Sequence, residues 1–542
     1  MDGEFLPLAD QSAGLRLPVR ARSRPTRQNT SCMRITFLGH AGLFVETRHG
    51  SVLCDPWFTP AYFGSWFPFP RNDRLDPAEF GRPDFLYVSH LHRDHFDPEF
   101  LGRHVAKDTR VLLPDFPTPF LEGALRDLGF TRFVRTHAGT PVEVDGLEVT
   151  IFAMTEPADG PLGDSALVLA AGVTRVLPPN DARPGDPASL QAHGPYAAHF
   201  VQFSGAIWYP IVYDFPAGER TRLAREKRVN QMARARQYIE WVKAAHVFPC
   251  AGPPCFVDDE LVALNDFDDD ATNIFPDQTV FLAELDRNGI DNAHLVVPGS
   301  VIDLDPDACV VRHSDADSEV ARPFRAKAAY IAEYRRDWDG WLSAEHARWS
   351  TETRDLVADL AAWFEPLMLR APITSAGIAG NVVLDVGDAA ICLDFVESTV
   401  RASAGEEYVY KLDVDRRLVT TLVDARVEDW VNSLFLSCRF RAARPGPFNE
   451  YVMTFFKALG TERIDYVEQS YRRTGRADEF FERDGWRIER YCPHRQADLT
   501  RFADISDGVL TCSLHHWQFD LETGRCLTSD DRHLRCERVA DD

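Results

Sequence analysis

The sequence predicts a multidomain α/β protein that closes in a region of short strands, and three observations predict it. The chain has 542 residues, more than one hydrophobic core ordinarily organises, so three or four domains are expected. Short apolar runs alternate with turn signals, and one of them, from Asp84 to Ser89, empties into His90-Leu91-His92-Arg93-Asp94-His95. A buried strand ending in ligand-type side chains is the usual layout of an α/β active site. From 461 to 542 the composition shifts to many short strands and turns.

The elements follow in order. Arg16, Arg20, Arg22, Arg24 and Arg27 precede no apolar run of the kind a signal peptide carries, so residues 1–30 read as a flexible Arg-rich tail. Met33–Leu38, Leu43–Thr47 and Ser51–Asp55 read as strands separated by turns. Further strands are expected near 110–113, 142–153, 165–170, 173–177, 246–249 and 294–297, with a basic helix over 217–246. Tyr330, Tyr334, Trp338 and Leu342 recur every fourth residue, as do Leu356, Leu360 and Phe364. That period predicts amphipathic helices over 324–368 whose aromatic stripe packs on a neighbour. Strand-like runs return at Asn381–Asp385 and Ala390–Phe395, alternating with helical ones as far as 458.

Composition excludes some functions. Hydrophobic residues make up 45% and charged residues 26%, as in ordinary globular proteins. The net charge of −24 argues against nucleic acid or an anionic membrane as partner. No apolar stretch is long enough to span a bilayer, and without a signal sequence a cytoplasmic location is expected. Eleven cysteines, an odd number, argue against a disulfide scaffold. Cys54, Cys309, Cys392 and Cys438 sit in apolar surroundings and read as buried small hydrophobes.

Two other cysteines stand apart. Cys492-Pro493-His494 is followed after 17 residues by Cys512-Ser513-Leu514-His515. A Rieske [2Fe–2S] centre needs two thiolates on one iron and two neutral imidazoles on the other, and each loop offers one of each. The flanks, Arg495 to Leu499 and Trp517 to Gly524, also resemble the Rieske family. Zinc can be held by the same four residue types, but zinc fingers group two Cys and then two His. Cys492, His494, Cys512 and His515 are therefore the expected cluster ligands; His516 adjoins a ligand position without the spacing. Respiratory Rieske proteins resemble this pattern but add a disulfide between the loops. Here those positions are Ala497 and Leu514, so the sequence is similar to the oxygenase and ferredoxin type. Such a cluster moves electrons singly and binds no substrate, so the chemistry lies elsewhere.

The His90–His95 run puts two metals within reach of one loop. With Gly39-His40-Ala41-Gly42 and Asp55-Pro56-Trp57 upstream and Asn180-Asp181 downstream, the set resembles the metallo-β-lactamase family, which implies an αββα sandwich. The resemblance also implies His90 and His92 on one metal, Asp94 and His95 on the other, and Asp181 between them. Where the family has its middle His this chain has Glu156, the expected ligand or catalytic group there. No His stands in Val297–Ser300 or Cys250–Cys255, where the final one belongs. A donor set with fewer imidazoles and more carboxylate favours iron over zinc. His40 is expected beside the site as a proton donor, and His137, His193 and His199 as structural or surface residues.

Residues 34–305 resemble, more specifically, the metallo-β-lactamase-like domain of the CMP-N-acetylneuraminic acid hydroxylase family. They share Asp55–Trp57, Ser89–His95, Asn180-Asp181, Phe203–Gly205 and Val297–Gly299. That family carries its Rieske domain at the N-terminus, whereas here it is C-terminal. Residues 373–460 resemble a sterol-carrier-like α+β fold. The expected organisation is a tail over 1–30, a catalytic domain over 31–315, a helical connector over 316–372, the sterol-carrier-like domain over 373–460 and a small all-β Rieske domain over 461–542.

The expected function is an iron-dependent oxygenase or oxidase. The cluster would feed electrons to one or two non-haem irons, and O₂ would oxidise a small polar metabolite at C–H or nitrogen. No Gly-rich dinucleotide fingerprint follows a strand, so the reductant is an external reductase or ferredoxin. A zinc hydrolase with an appended redox domain, a CMP-sialic-acid-type sugar-nucleotide hydroxylase and a non-catalytic electron carrier are the alternatives. Electron transfer within one chain or between chains of a homo-oligomer stays open.

Overall fold

The computed structural model describes residues 33–154, 162–178, 181–184, 187–205, 207–305, 308–473, 479–494, 497–514, 516–529 and 532–539. The expected tail over 1–30, Glu156, Asn180, Arg495 and His515 lie outside the described residues.

β1 (Met33–Gly39), β2 (Gly42–Thr47) and β3 (Gly50–Cys54) form an antiparallel ladder. β4 (Phe85–Tyr87), β5 (Arg110–Leu113) and β6 (Arg132–Arg135) extend it in parallel. A second sheet follows from β7 (Val142–Val144), β8 (Leu147–Met154), β9 (Asp164–Ala171), β10 (Thr174–Leu177), β11 (Ala198–Gln202) and β12 (His246–Cys250). β13 (Val301–Asp305) and β14 (Ala308–Arg312) return to the first sheet, which runs β14-β13-β1-β2-β3-β4-β5-β6. The second runs β12-β11-β10-β9-β8-β7.

Ile35, Phe37 and Val45 from one sheet meet Val149, Ile151, Leu167 and Phe200 from the other in a single buried core. The outer faces are also apolar and are covered by helices. Phe100, Leu101, Leu121 and Leu125 cover Leu53, Leu86 and Val111 of the first sheet. Met232, Ala235 and Ile239 of the helix Ala217–Val242 cover Val201, Phe203 and Val247 of the second. Sheets apolar on both faces demand this four-layer αββα arrangement. The strand expected near 294–297 is only a short pairing: Val247 N–H donates to Asn292 O at 3.0 Å and His294 N–H to Val247 O at 2.8 Å. Pro298 has no N–H and Gly299 takes a φ of 89°, so this pairing with β12 ends, and the chain crosses to the first sheet as β13, beside β1.

The helix Lys327–Ala347 buries Tyr330, Tyr334 and Leu342 against Phe67 and Phe69. The helix Leu356–Arg370 packs on a five-stranded sheet ordered β17 (Thr399–Ala402), β16 (Ala390–Asp394), β15 (Asn381–Asp385), β18 (Tyr410–Val414) and β19 (Phe440–Ala443). Their core continues into the sandwich, where Trp57, Tyr62 and Trp208 pack with Trp430, Phe435 and Phe440. The C-terminal region is two three-stranded sheets. One joins β20 (Phe480–Arg483), β21 (Trp486–Glu489) and β25 (Cys536–Arg538); the other joins β22 (Ala503–Ser506), β23 (Val509–Cys512) and β24 (Gln518–Asp520). Among the described residues no helix is long and apolar enough to cross a membrane.

Arg439 pins the five-stranded region to the sandwich. Its buried guanidinium lies 2.6 Å from Asp258 Oδ2 and donates to Phe63 O at 3.2 Å. Burial raises the Asp258 carboxyl, but Arg439 outweighs this and holds it below the usual carboxylate range. A depressed folded-state pKa means stability present above the unfolded value and lost as pH falls through the folded one. Arg439→Ala should cost about 3 kcal/mol, because it strips a buried carboxylate of its guanidinium and leaves it to His346, 2.8 Å away. Urea midpoints at neutral pH will measure that loss. Repeated at a pH well below 3.8, they should show a much smaller gap between wild type and variant.

Candidate metal centres

The site forms where chain segments leave the two sheets. Between β1 and β2, Gly39 (φ 108°) and His40 (φ 52°) make a tight left-handed turn that exposes the His40 ring to the crevice. Ala251 N–H, just past β12, donates to His40 O at 2.9 Å and ties that turn to the second sheet. The chain after β4 gives His90 to His95 as a loop, with His95 N–H donating to His92 O at 3.0 Å. Asp97 then caps the helix Pro98–His104 through the Phe100 N–H and ends the loop. Asp181 follows β10.

These segments bring six expected residues into two adjoining groups. His90, His92 and Asp181 each offer one ligand-type atom, all within 4.8 Å of one another, and so do His40, Asp94 and His95. His95 Nε2 lies 3.7 Å from Asp94 and 3.6 Å from Asp181, so the groups meet at His95 and Asp181. His40 Nε2 is 3.1 Å from Asp94 Oδ2, which seats it among the donor atoms.

A second row orients the imidazoles. His95 Nδ1 contacts Asp55 Oδ2 at 2.9 Å, and His90 Nδ1 contacts Asp164 Oδ1 at 3.1 Å. Asp55 is itself fixed by the Ser89 N–H and hydroxyl, both at 2.7 Å. Such carboxylates set the tautomer so that the far nitrogen faces a metal. Among the described residues, the far nitrogens of His90 and His95 are buried without a hydrogen-bond partner, a deficit that a cation would meet. Tyr62 donates to Asp94 Oδ1 at 2.6 Å. Asp164 and Tyr62 had no signal in the sequence: each is one polar residue in an apolar stretch, remote from the motif.

The electrostatics are those of a cation site. Burial opposes ionisation of Asp94 and Asp181, yet the adjacent His95 holds both well below the ordinary carboxylate range. Burial also opposes charge on His95, but Asp94 and Asp181 raise it well above its usual value. His92 is pushed well down, by burial and then by His90. Protons thus balance the carboxylates, and metal binding displaces them. Of the solitary histidines, His199 is buried, which pushes it down to about 3, while His137 is exposed.

In the C-terminal region Cys492 follows β21 and Cys512 ends β23; both are fully buried in one cluster with Leu514, Trp517 and Phe519. His494 stacks on Trp517 at 4.0 Å. Two paired turns build the loops: Cys492 N–H donates to Ala497 O at 2.9 Å and Cys512 N–H to Trp517 O at 2.8 Å. Thiolates and an imidazole presented on two short loops suit a [2Fe–2S] cluster.

The fold and these sites define a metallo-β-lactamase-type sandwich joined to a C-terminal Rieske domain. A Rieske [2Fe-2S] domain model matches residues 482–536, and a model described as an Rv3818-like, SCP2-like domain matches 356–473. A Rieske 2Fe-2S iron-sulfur protein of Mycobacterium tuberculosis, Rv3818, is 46% identical over 93% of this chain and 100% of its own length. The chain belongs to this family of Rv3818-like Rieske 2Fe-2S proteins. A 4-amino-L-phenylalanyl-[CmlP-peptidyl-carrier-protein] 3-hydroxylase of Streptomyces venezuelae is 26% identical over 40% of this chain and 43% of its own. A UPF0173 metal-dependent hydrolase of Paracoccus denitrificans is 25% identical over 27% of this chain and 65% of its own.

Asp55→Ala should weaken metal binding at the His95 side about 10–100-fold, the usual loss when an orienting carboxylate goes. Competition with a chelator will read it, while the Rieske EPR signal reports an intact fold. Unchanged retention would contradict the orienting role.

Proposed function

We propose that the protein is an iron-dependent oxygenase or oxidase in which the Rieske cluster passes electrons, within one chain, to one or two non-haem irons. His90, His92 and Asp181 would hold one iron and His40, Asp94 and His95 the other, with Glu156 as a further ligand. The observation that carries this reading is the joint packing of the two centres. The helix Ala217–Val242 that covers the second sheet also receives the Rieske region: Arg234 donates to Leu514 O, in the loop after Cys512, at 2.9 Å, and Trp241 meets Phe502, which follows the Cys492 loop, edge-on at 4.8 Å. Beneath that helix lies β11, whose Gln202 amide hydrogen-bonds Asp181.

A hydrolase has no use for an electron carrier at this position. Carboxylate donors suit iron, and the hydroxylase activity named for the Streptomyces venezuelae relative supports the oxygenase class. Bound iron would supply O₂ reduction coupled to oxidation of a substrate bond. The chain's own residues do the rest. Asp55 and Asp164 hold the imidazoles, and Tyr62 holds Asp94. Trp57, fully buried and edge-on to His40 at 5.0 Å, closes one wall to water. A small polar metabolite is the substrate class, and an external reductase or ferredoxin the electron source.

Removing His90 separates the two centres functionally. His90→Ala should keep the Rieske EPR signal of the dithionite-reduced protein. Its reoxidation by O₂ should slow roughly tenfold or more, as expected for loss of a metal ligand. Equal rates in wild type and variant would count against electron delivery to this site, and ester or phosphoester turnover without O₂ would favour the hydrolase.

A further inference from the structure

At the far end of β12 from the candidate centres lies another group of ligand-type side chains. His246 opens that strand and Cys250 closes it; at about 3.3 Å per residue the two ends stand roughly 13 Å apart. His246 Nδ1 is 3.0 Å from His294 Nε2. One ring nitrogen of each histidine and the Cys309 thiol all lie within 4.8 Å of one another, and all three residues are half-buried. A tetrahedral zinc ion, with Zn–N of about 2.0–2.1 Å and Zn–S of about 2.3 Å, spaces such donors roughly 3.3–3.6 Å apart.

Each donor is held by contacts that do not involve the others. His294 stacks on Phe248 at 5.2 Å, and its segment is fixed by Asn292, whose amide donates to Ala244 O and Ala245 O at 3.0 Å. His246 N–H donates to Ala197 O at 3.1 Å. Cys309 sits on β14, the edge strand of the other sheet, paired opposite Leu304. Burial pushes both imidazoles down, which keeps them neutral and able to donate, and pushes the Cys309 thiol up to about 11. A hydrogen bond between two imidazoles explains the first pair alone; it does not require a thiol brought to them from the opposite sheet.

We propose that His246, His294 and Cys309 form a separate metal position that takes a borderline divalent cation such as Zn²⁺, with water as the fourth donor. The ion fastens β12 and the short segment paired beside it to β14, and closes the sandwich at the side away from the catalytic crevice. Binding releases the Cys309 proton, so occupancy rises with pH. This position is independent of the iron centres.

The test uses the full-length protein with its cluster intact and Co²⁺ as probe. One equivalent should produce a thiolate-to-cobalt charge-transfer band in the near-ultraviolet difference spectrum. Cys309→Ser should abolish the band, His294→Ala should weaken Co²⁺ binding, and His90→Ala should leave the band in place; the Rieske EPR signal shows that each variant is folded. If zinc already fills the position, wild type should instead carry one zinc more per chain than Cys309→Ser. A band that persists in Cys309→Ser, or no band together with equal zinc in both proteins, overturns the proposal.

Discussion

Asp94 and Asp181 are ionised carboxylates facing the same imidazole, that of His95, with Asp94 and His95 buried and Asp181 half-buried. Like charges so placed repel, and the buried Asp94 depends on its neighbours for its charge. The surrounding structure is arranged to keep them there: Asp55 and Asp164 brace the histidines, Tyr62 braces Asp94, and His40 approaches from the β1–β2 turn. A cation resolves the repulsion, which is why this donor set reads as a metal site and not as a salt-bridge network.

That arrangement also accounts for the neighbouring regions. Tyr62 and Trp57, which line the crevice, belong to the core shared with the sterol-carrier-like region, so that region supports the wall of the site. The Rieske domain meets the sandwich on the outside of the second sheet. Leu177, Tyr238 and Val242 there pack with the buried Cys492 and Cys512 in one cluster. Electron entry and substrate chemistry can thus be served from different faces of one sheet.

The sandwich strands were legible because alternating apolar runs broken by turns leave little other choice, and the two cysteine–histidine loops because ligand spacing is itself chemical information. His90 to His95 were legible for the same reason, being contiguous. His40 was expected beside the site as a proton donor; that its ring would stand among the donor atoms was not legible, since it comes from a hairpin about 50 residues upstream. Asp164 begins β9 and looks like an ordinary strand-end carboxylate. The short pairing near His294 misled as a full strand because the apolar run there is real, while Pro298 and Gly299 decide where it ends. The contact of Cys309 with two histidines depends on how the two sheets close, which no local pattern encodes.

The measurement that bears most directly on the central claim is iron per chain in anaerobically purified wild type compared with His92→Ala. The account predicts that the variant keeps the two irons of the Rieske cluster and lacks at least the iron that His90, His92 and Asp181 would hold in wild type. Any zinc held elsewhere cancels in that difference. If both proteins contain cluster iron alone and the variant loses zinc instead, the iron oxygenase reading is contradicted and the sandwich holds a zinc hydrolase site.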